Sequence, residues 1–227
     1  MYPIKPRSYD HFCGLAFALD AVGERWGLLV VRELLSGPRR FSDLLAGMPG
    51  VATNTLTSRL EELEHHGLIT RQQLPPPAAS AVYELTERGR GLEKAVVELV
   101  RWAAPEVARA GRERRRLAPL RASWLALALK AFFVPAQAKR VSGQLVFRLP
   151  TGALFIEVKD SALELRDAAP GDRPLAMLRC SEEQVLELVL ESTSLEALLK
   201  LPGVELQGDA KAISRFVAVF KRKKRAA

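Results

Sequence analysis

Cysteine and histidine are scarce in this sequence, two and three among 227 residues. Cys13 and Cys180 are too few and too far apart to staple a small secreted domain. No His, Cys and carboxylate set has the spacing of metal ligands, and the adjacent His65 and His66 read as surface or capping residues near a helix end. Long apolar runs are also missing. The longest candidate, 118–134, is interrupted by Arg121 and Lys130, well short of the roughly 20 apolar residues a membrane span needs. The opening Met1-Tyr2-Pro3-Ile4-Lys5-Pro6-Arg7 has no apolar core behind its basic residues, so neither an export signal nor a membrane span is expected, and a cytoplasmic location is. A nucleophile elbow, a P-loop and a dinucleotide fingerprint are absent, and Gly89-Arg90-Gly91 lacks the third glycine and the preceding strand geometry. No catalytic residue, metal or cofactor is expected, and the chain reads as a non-enzyme.

Charge of one sign is lacking where it would be informative. The formal net charge is +8, yet residues 1–110 carry 13 basic and 13 acidic side chains, and residues 117–220 carry 12 of each. The excess sits in Gly111-Arg112-Glu113-Arg114-Arg115-Arg116 and in Lys221-Arg222-Lys223-Lys224-Arg225. Such clusters are compatible with phosphate contact but are ordinary in solvated linkers and tails. Global charge therefore does not assign a function.

What is present is an ordered pattern. With 48% apolar and 26% charged residues, the chain is long enough for two small cores. Punctuation suggests a first domain over 1–110, a basic linker over 111–118, a second domain over 119–220 and a basic tail over 221–227. Pro105 to Pro119 reads as interdomain linker or exposed helix end. In the first domain an apolar face runs from Leu15 through Leu19, Val22 and Trp26 to Leu35 and stops at Ser36-Gly37-Pro38. A short helix follows at Phe41, with Ser42 as candidate cap. Thr53 to His66 forms the next, with Leu56, Leu60 and Leu63 inward and Gly67 as its stop. Residues 68–74 and 81–85 pair as strands around a loop of three prolines, and Thr86 caps a final helix towards Ala104. Trp26, Leu34, Phe41, Leu56, Leu60 and Leu63 are the expected core.

Helix, turn, helix and two-stranded ribbon is the order of a winged helix-turn-helix, whose second helix enters the major groove by its N-terminal residues. Here those residues are Thr53, Asn54, Thr55, Thr57, Ser58 and Arg59, types suited to base edges. Arg71 leads into the wing, and Arg39 and Arg40 precede the short helix, placed for phosphates. Arg59 has a competing use, pairing with Glu61 or Glu62 on a solvated helix face.

Four segments in this order resemble HxlR-type regulators, relatives of the MarR group: Gly23-Glu24-Arg25-Trp26-Gly27-Leu28-Leu29-Val30-Val31-Arg32-Glu33-Leu34, Gly37-Pro38-Arg39-Arg40-Phe41-Ser42-Asp43-Leu44, Leu56-Thr57-Ser58-Arg59-Leu60-Glu61-Glu62-Leu63-Glu64 and Tyr83-Glu84-Leu85-Thr86-Glu87-Arg88-Gly89. The resemblance implies a homodimer joined through the terminal helices on a pseudo-palindromic double-stranded DNA operator. Ala52 stands where the family usually has Ser, losing an N-cap, and Asn54 where Lys is frequent. Cys13 aligns with a cysteine that some members use as a redox or electrophile sensor. Gly14 replaces the proline that commonly follows it, and no nearby cation or second cysteine is legible, so a buried structural thiol is the simpler expectation.

Beyond the linker the pattern is a helix over 119–134, strands over 144–149, 154–158, 162–166 and 175–180, helices over 181–191 and 195–201, a strand over 204–207 and a last helix from Ala210. This is an α+β domain with a small, mostly antiparallel sheet, beside a mainly α winged helix-turn-helix domain. Thr151-Gly152-Ala153-Leu154-Phe155-Ile156-Glu157-Val158-Lys159-Asp160, Cys180-Ser181-Glu182-Glu183-Gln184-Val185-Leu186-Glu187-Leu188 and Pro202-Gly203-Val204-Glu205-Leu206-Gln207-Gly208-Asp209 resemble sterol-carrier-protein-like domains, with Ser161 where Gly usually closes the hairpin. The resemblance implies an apolar tunnel for a hydrophobic small molecule, lined by Trp124, Leu127, Phe132, Phe133, Phe155, Leu188, Leu198 and Phe216. Any small α+β domain also needs such residues as solid core. The expected function is a dimeric DNA-binding regulator whose second domain senses that molecule; the alternative is a redox switch at Cys13 with a purely structural second domain.

Overall fold

A computed structural model of the chain describes residues 8–74, 80–109, 120–190 and 193–220. The proline loop 75–79, the basic cluster 112–116 and the basic tail lie outside these residues. The chain divides into two compact units, Met1–Val96 and Val97–Ala227.

The first unit contains α1 (Gly14–Val22), α2 (Gly27–Leu34), β1 (Arg39–Arg40), α3 (Phe41–Gly47), α4 (Thr53–His65), β2 (Ile69–Gln73), β3 (Ala81–Leu85), α5 (Glu87–Arg90) and the start of α6 (Glu93–Arg109). Three sequence expectations need correction here. The apolar face from Leu15 to Leu35 belongs to two helices, because Trp26 takes a left-handed conformation at φ 81°, which bulky L-residues rarely adopt. Ser42 is not the cap of α3; Arg40 precedes the helix, and its amide donates to the Asp43 carboxylate at 3.0 Å. The helix expected from Thr86 to Ala104 is likewise two, α5 and α6, separated by Gly91 and Leu92. Pro105 lies inside α6, near its end at Arg109, although it removes one helical donor, and the division between the two units falls earlier in the same helix. Thr86 caps as expected, its hydroxyl accepting from the Gly89 amide at 3.1 Å and donating to the Gly67 carbonyl at 2.7 Å.

The core of this unit is Val30, Val31 and Leu34 of α2, Leu44 of α3, Leu56, Leu60 and Leu63 of α4, and Ile69, Val82 and Leu85 of the sheet. The strands order as β1-β3-β2, antiparallel throughout. Gly89 approaches β2 so closely that a Cβ there would sit 2.0 Å from the Leu68 carbonyl oxygen.

The second unit adds α7 (Ala122–Phe132), β4 (Gly143–Leu149), β5 (Gly152–Lys159), β6 (Ala162–Asp167), β7 (Ala176–Arg179), α8 (Glu182–Val189), α9 (Leu195–Leu198), β8 (Glu205–Gly208) and α10 (Ala210–Ala218). Its sheet runs β6-β5-β4-β7-β8, with only β4 and β7 parallel. The β5–β6 hairpin turns through Asp160 and Ser161 at φ 50° and 62°, so Ser161 takes the left-handed conformation for which glycine is the usual residue. One sheet face packs Leu145, Phe147, Leu154 and Ile156 against Leu125 and Leu129 of α7, Val185 and Leu188 of α8 and Ile213 and Phe216 of α10. Phe147 and Phe216 meet edge to face, centroids 5.8 Å apart. At the β4–β5 tip, the Thr151 hydroxyl accepts from the Ala122 amide at 2.8 Å and donates to the buried Glu182 carboxylate at 2.5 Å, tying together the starts of α7 and α8.

The β6–β7 connection explains the opposite face. Both strands run parallel to β4, so the chain must return the length of the sheet and cross β5 and β4. It leaves β6 with the Ala168 amide on the Ala153 carbonyl (2.8 Å) and enters β7 with the Leu175 amide on the Gln144 carbonyl (2.8 Å). This strap lies over the outer face, where Val146 and Phe155 are 3% and 4% exposed. Arg166 stacks on Phe155, 3.8 Å from its centroid, and clamps Asp172 of the strap. No helix among the described residues is long and apolar enough to cross a membrane.

Phe147→Ala is expected to lower the unfolding free energy of the second unit by about 3–5 kcal/mol. Gly89→Ala is expected to destabilise the first unit, since the overlap is with backbone and no side chain can move to relieve it. Urea unfolding of the full chain, followed by hydrogen exchange resolved to each unit, measures both.

Candidate functional site

Helix α4 begins at Thr53 after Ala52, whose extended backbone (φ −80°, ψ 148°) suits an N-cap but whose side chain offers no acceptor. Burial of Leu56, Leu60 and Leu63 (0%, 2% and 1% exposed) sets the roll of the helix; Asn54 and Thr57 lie off that row and are exposed, Thr53 is exposed at the helix end, and Thr55 and Ser58 are half-buried. Local hydrogen bonds engage part of this polar edge. The Asn54 Oδ1 accepts from the Thr55 amide at 2.8 Å, and the Thr57 hydroxyl donates to the Thr53 carbonyl at 3.0 Å. The Asn54 amide nitrogen and the Thr53 hydroxyl stand at the exposed tip.

Arg59 is placed differently from its five companions. Its side chain is 14% exposed and lies between Glu62, at 2.5 Å, and Glu24 of the α1–α2 turn, at 3.5 Å. To reach a base edge it would have to leave both carboxylates. Glu62, one of the two partners offered by the sequence, is a partner; Glu24 was not legible, being 35 positions away.

The two-residue strand β1 puts Arg39 opposite Tyr83 and Arg40 opposite Val82; β2 puts Arg71 opposite Tyr83 from the other side. Arg39 and Arg71 therefore flank Tyr83 on one sheet face, with the Arg71 guanidinium 6.0 Å from the ring centroid. Arg40, one residue on, alternates to the other face and is exposed. Tyr83 is a site residue that the sequence reading missed, because two residues of strand show no periodicity.

Cys13 is exposed, which corrects the expectation of a buried thiol. It occupies the N-cap of α1, and the amides of Ala16 and Leu15 face its sulfur without closing a full capping hydrogen bond. Their dipoles, Ala16 first, hold the thiol below its ordinary pKa. Cys180 is the opposite case, buried and pushed up to about 12, by desolvation first and then by Glu182. The helix bearing Cys13 leaves Leu15, Phe17 and Leu19 exposed, with Phe12 fully exposed before it. Helix α6 likewise leaves Leu99, Trp102 and Val107 exposed.

Of the eight residues expected to line an apolar tunnel, Leu188, Leu198 and Phe216 are buried in the inner core, with Phe132 and Phe133 packed against it. Leu127 is also buried, and Trp124 is half-buried. Phe155 lies on the opposite sheet face, under Arg166. Phe216 borders a small cavity, of about 20 Å3, beside Leu145 and Val158. No cluster of three or more metal-ligating side chains occurs among the described residues.

The pair α3 and α4 and the sheet β1-β3-β2 define a winged helix-turn-helix, here joined to an α+β sheet domain. The chain belongs to the HxlR-like helix-turn-helix family, whose pattern its residues 21–110 match, and residues 112–221 match the SCP-2 sterol transfer family. The HTH-type transcriptional regulator YodB of Bacillus subtilis is 35% identical over 86 residues, 38% of this chain and 77% of its own length. The regulator sll1512 of Synechocystis is 39% identical over 89 residues, 39% of this chain and 66% of its own. The solved reduced form of YodB aligns at 33% identity with a TM-score of 0.38, covering 41% of this chain and 92% of YodB. At the level of the family, the chain is a DNA-binding transcriptional regulator.

Ala52→Ser is expected to restore the missing cap and raise the stability of the first unit by about 1 kcal/mol. Chemical denaturation, with slower hydrogen exchange at the first amides of α4, checks it.

Proposed function

We propose that the chain is a homodimeric regulator that reads a pseudo-palindromic operator in double-stranded DNA, and that the Cys13 thiol sets its affinity. Base contact is assigned to the exposed edge of α4, Thr53, Asn54 and Thr57, with Thr55 and Ser58 at its margin and Arg59 as a tie to the α1–α2 turn. Arg39, Arg40 and Arg71 supply the cations for phosphates. The uncovered apolar residues of α1 and α6 are surface that a second copy would bury.

The observation that carries the switch is the placement of Cys13: exposed, at a helix N-terminus, with its pKa lowered. A depressed pKa raises the thiolate fraction near neutral pH, and the thiolate is the nucleophile. Attack on a peroxide forms an S–O bond and breaks the O–O bond, giving a sulfenic acid and a hydroxide ion. Condensation with Cys13 of the partner subunit then forms a disulfide and releases water. Since the thiol heads the helix whose apolar side is uncovered, a covalent change there alters how two copies meet, and so the separation of their α4 helices. The ligand-sensing reading has less support, because most of the eight residues proposed for it are packed in the core.

Two measurements test the switch. Peroxide is expected to weaken binding to promoter DNA at least tenfold in the native chain and to leave Cys13→Ser unaffected; an equal response in both sinks the proposal. The rate of Cys13 alkylation is expected to reach half its maximum below the pH of about 8.5 typical of a free thiol. Cys180 should react only on unfolding, and a Cys13 midpoint at or above the ordinary value counts against the switch.

A further inference from the structure

The strap over the outer face of the second unit's sheet encloses, with the strands, a groove of about 990 Å3. It opens over the outer face and extends round the strand ends to Ser181 and Gln184 at the start of α8, and it owes nothing to the thiol switch. Its floor is made by two register pairs on the parallel strands β4 and β7: Val146 beside Met177, and Arg148 beside Arg179. Its walls are proline: Pro170 and Pro174 on the strap, Pro150 at the hairpin tip and Pro202 before β8.

The charges on this floor are unbalanced. Neighbouring strands stand about 4.8 Å apart, so Arg148 and Arg179 set like charge beside like charge, an arrangement that lowers stability. Arg179 has a long ion pair, 3.9 Å to Glu205, both side chains more than half exposed. Arg148 has no ion pair among the described residues. Asp172 lines the groove but is committed elsewhere, accepting from Arg166 at 2.5 and 3.0 Å and from the Ala169 amide at 2.6 Å. The floor therefore offers two adjacent guanidinium groups, with no carboxylate between them, next to apolar surface at Val146 and Met177.

We propose that this groove binds a compact amphipathic anion, a carboxylate or phosphate on a short apolar body, with Arg148 and Arg179 on the oxyanion and Met177 beneath the apolar part. Planar guanidinium groups suit either oxyanion by paired hydrogen bonds. The proline walls and the Arg166–Asp172 clamp keep the groove open without ligand, which lowers the ordering cost of binding. The groove is open on one side, so it suits a short body lying on the sheet and not a long chain enclosed in a tunnel.

The three methionines, Met1, Met48 and Met177, give a site-specific readout. In full-length protein labelled at the methionine methyls, octanoate and octyl phosphate below their micellar concentrations are expected to shift Met177 saturably. Met48, buried in the first unit, should not move. Octanol and inorganic phosphate should bind at least tenfold more weakly. Arg148→Gln with Arg179→Gln should weaken the anions at least tenfold with an unchanged circular-dichroism melting curve; if the double variant unfolds, each single variant and the two lysine replacements serve instead. A response to one headgroup only supports the site and names its ligand class. An unmoved Met177, octanol or inorganic phosphate as effective as the octyl anions, or unaltered affinity in the folded variants overturns the proposal.

Discussion

The buried row Leu56, Leu60 and Leu63 decides how the first unit can work. Three side chains spaced along one face of α4, all nearly inaccessible, remove the rotational freedom of that helix. Once its roll is set, Asn54 and Thr57 lie off the buried row, while Thr53, on the same side as that row, is exposed because it heads the helix. Apolar contact is non-directional, but a row at helical spacing converts it into orientation. The polar edge is therefore held by groups that never meet DNA. Arg59 adds a directional restraint, binding α4 to Glu24 as well as to its own helix.

Much of this arrangement was legible because it rests on short-range pattern. The stripe of α4, the two wing strands, the Thr86 cap and most of the second unit's elements follow from periodicity and punctuation within a few residues. What escaped depends on tertiary context. The break at Trp26 requires a left-handed tryptophan, a conformation no local propensity favours. Strand β1 exists only through its pairing with β3, and without it neither Tyr83 nor the facing of Arg39 and Arg71 can be inferred. Arg59's second partner lies across the fold. The parallel pairing of β4 with β7 follows from a crossing that hydrophobic alternation cannot reveal.

The two thiols show how environment separates identical chemistry. Composition treats Cys13 and Cys180 alike. A helix start facing solvent stabilises negative charge on the first, while a buried position near Glu182 opposes it on the second. In sequence the decisive difference was whether a helix begins at Gly14, a boundary one residue away. Boundaries of that kind are the least certain feature of any periodic reading, and here one of them governs reactivity.

The crossing strap also has a consequence for the order of assembly. Strands β4, β5 and β6 are joined by tight hairpins, so their pairing closes short loops at little entropic cost. The union of β4 with β7 must instead bring Leu145 to Ala176, with two strands and the strap between them, and strand β8 can dock only afterwards. Pairings of such separation are slow to form. The meander is thus the template and the β7–β8 edge the latecomer. The outer groove, floored on both sides of that seam, comes into being only when the last part of the sheet is in place.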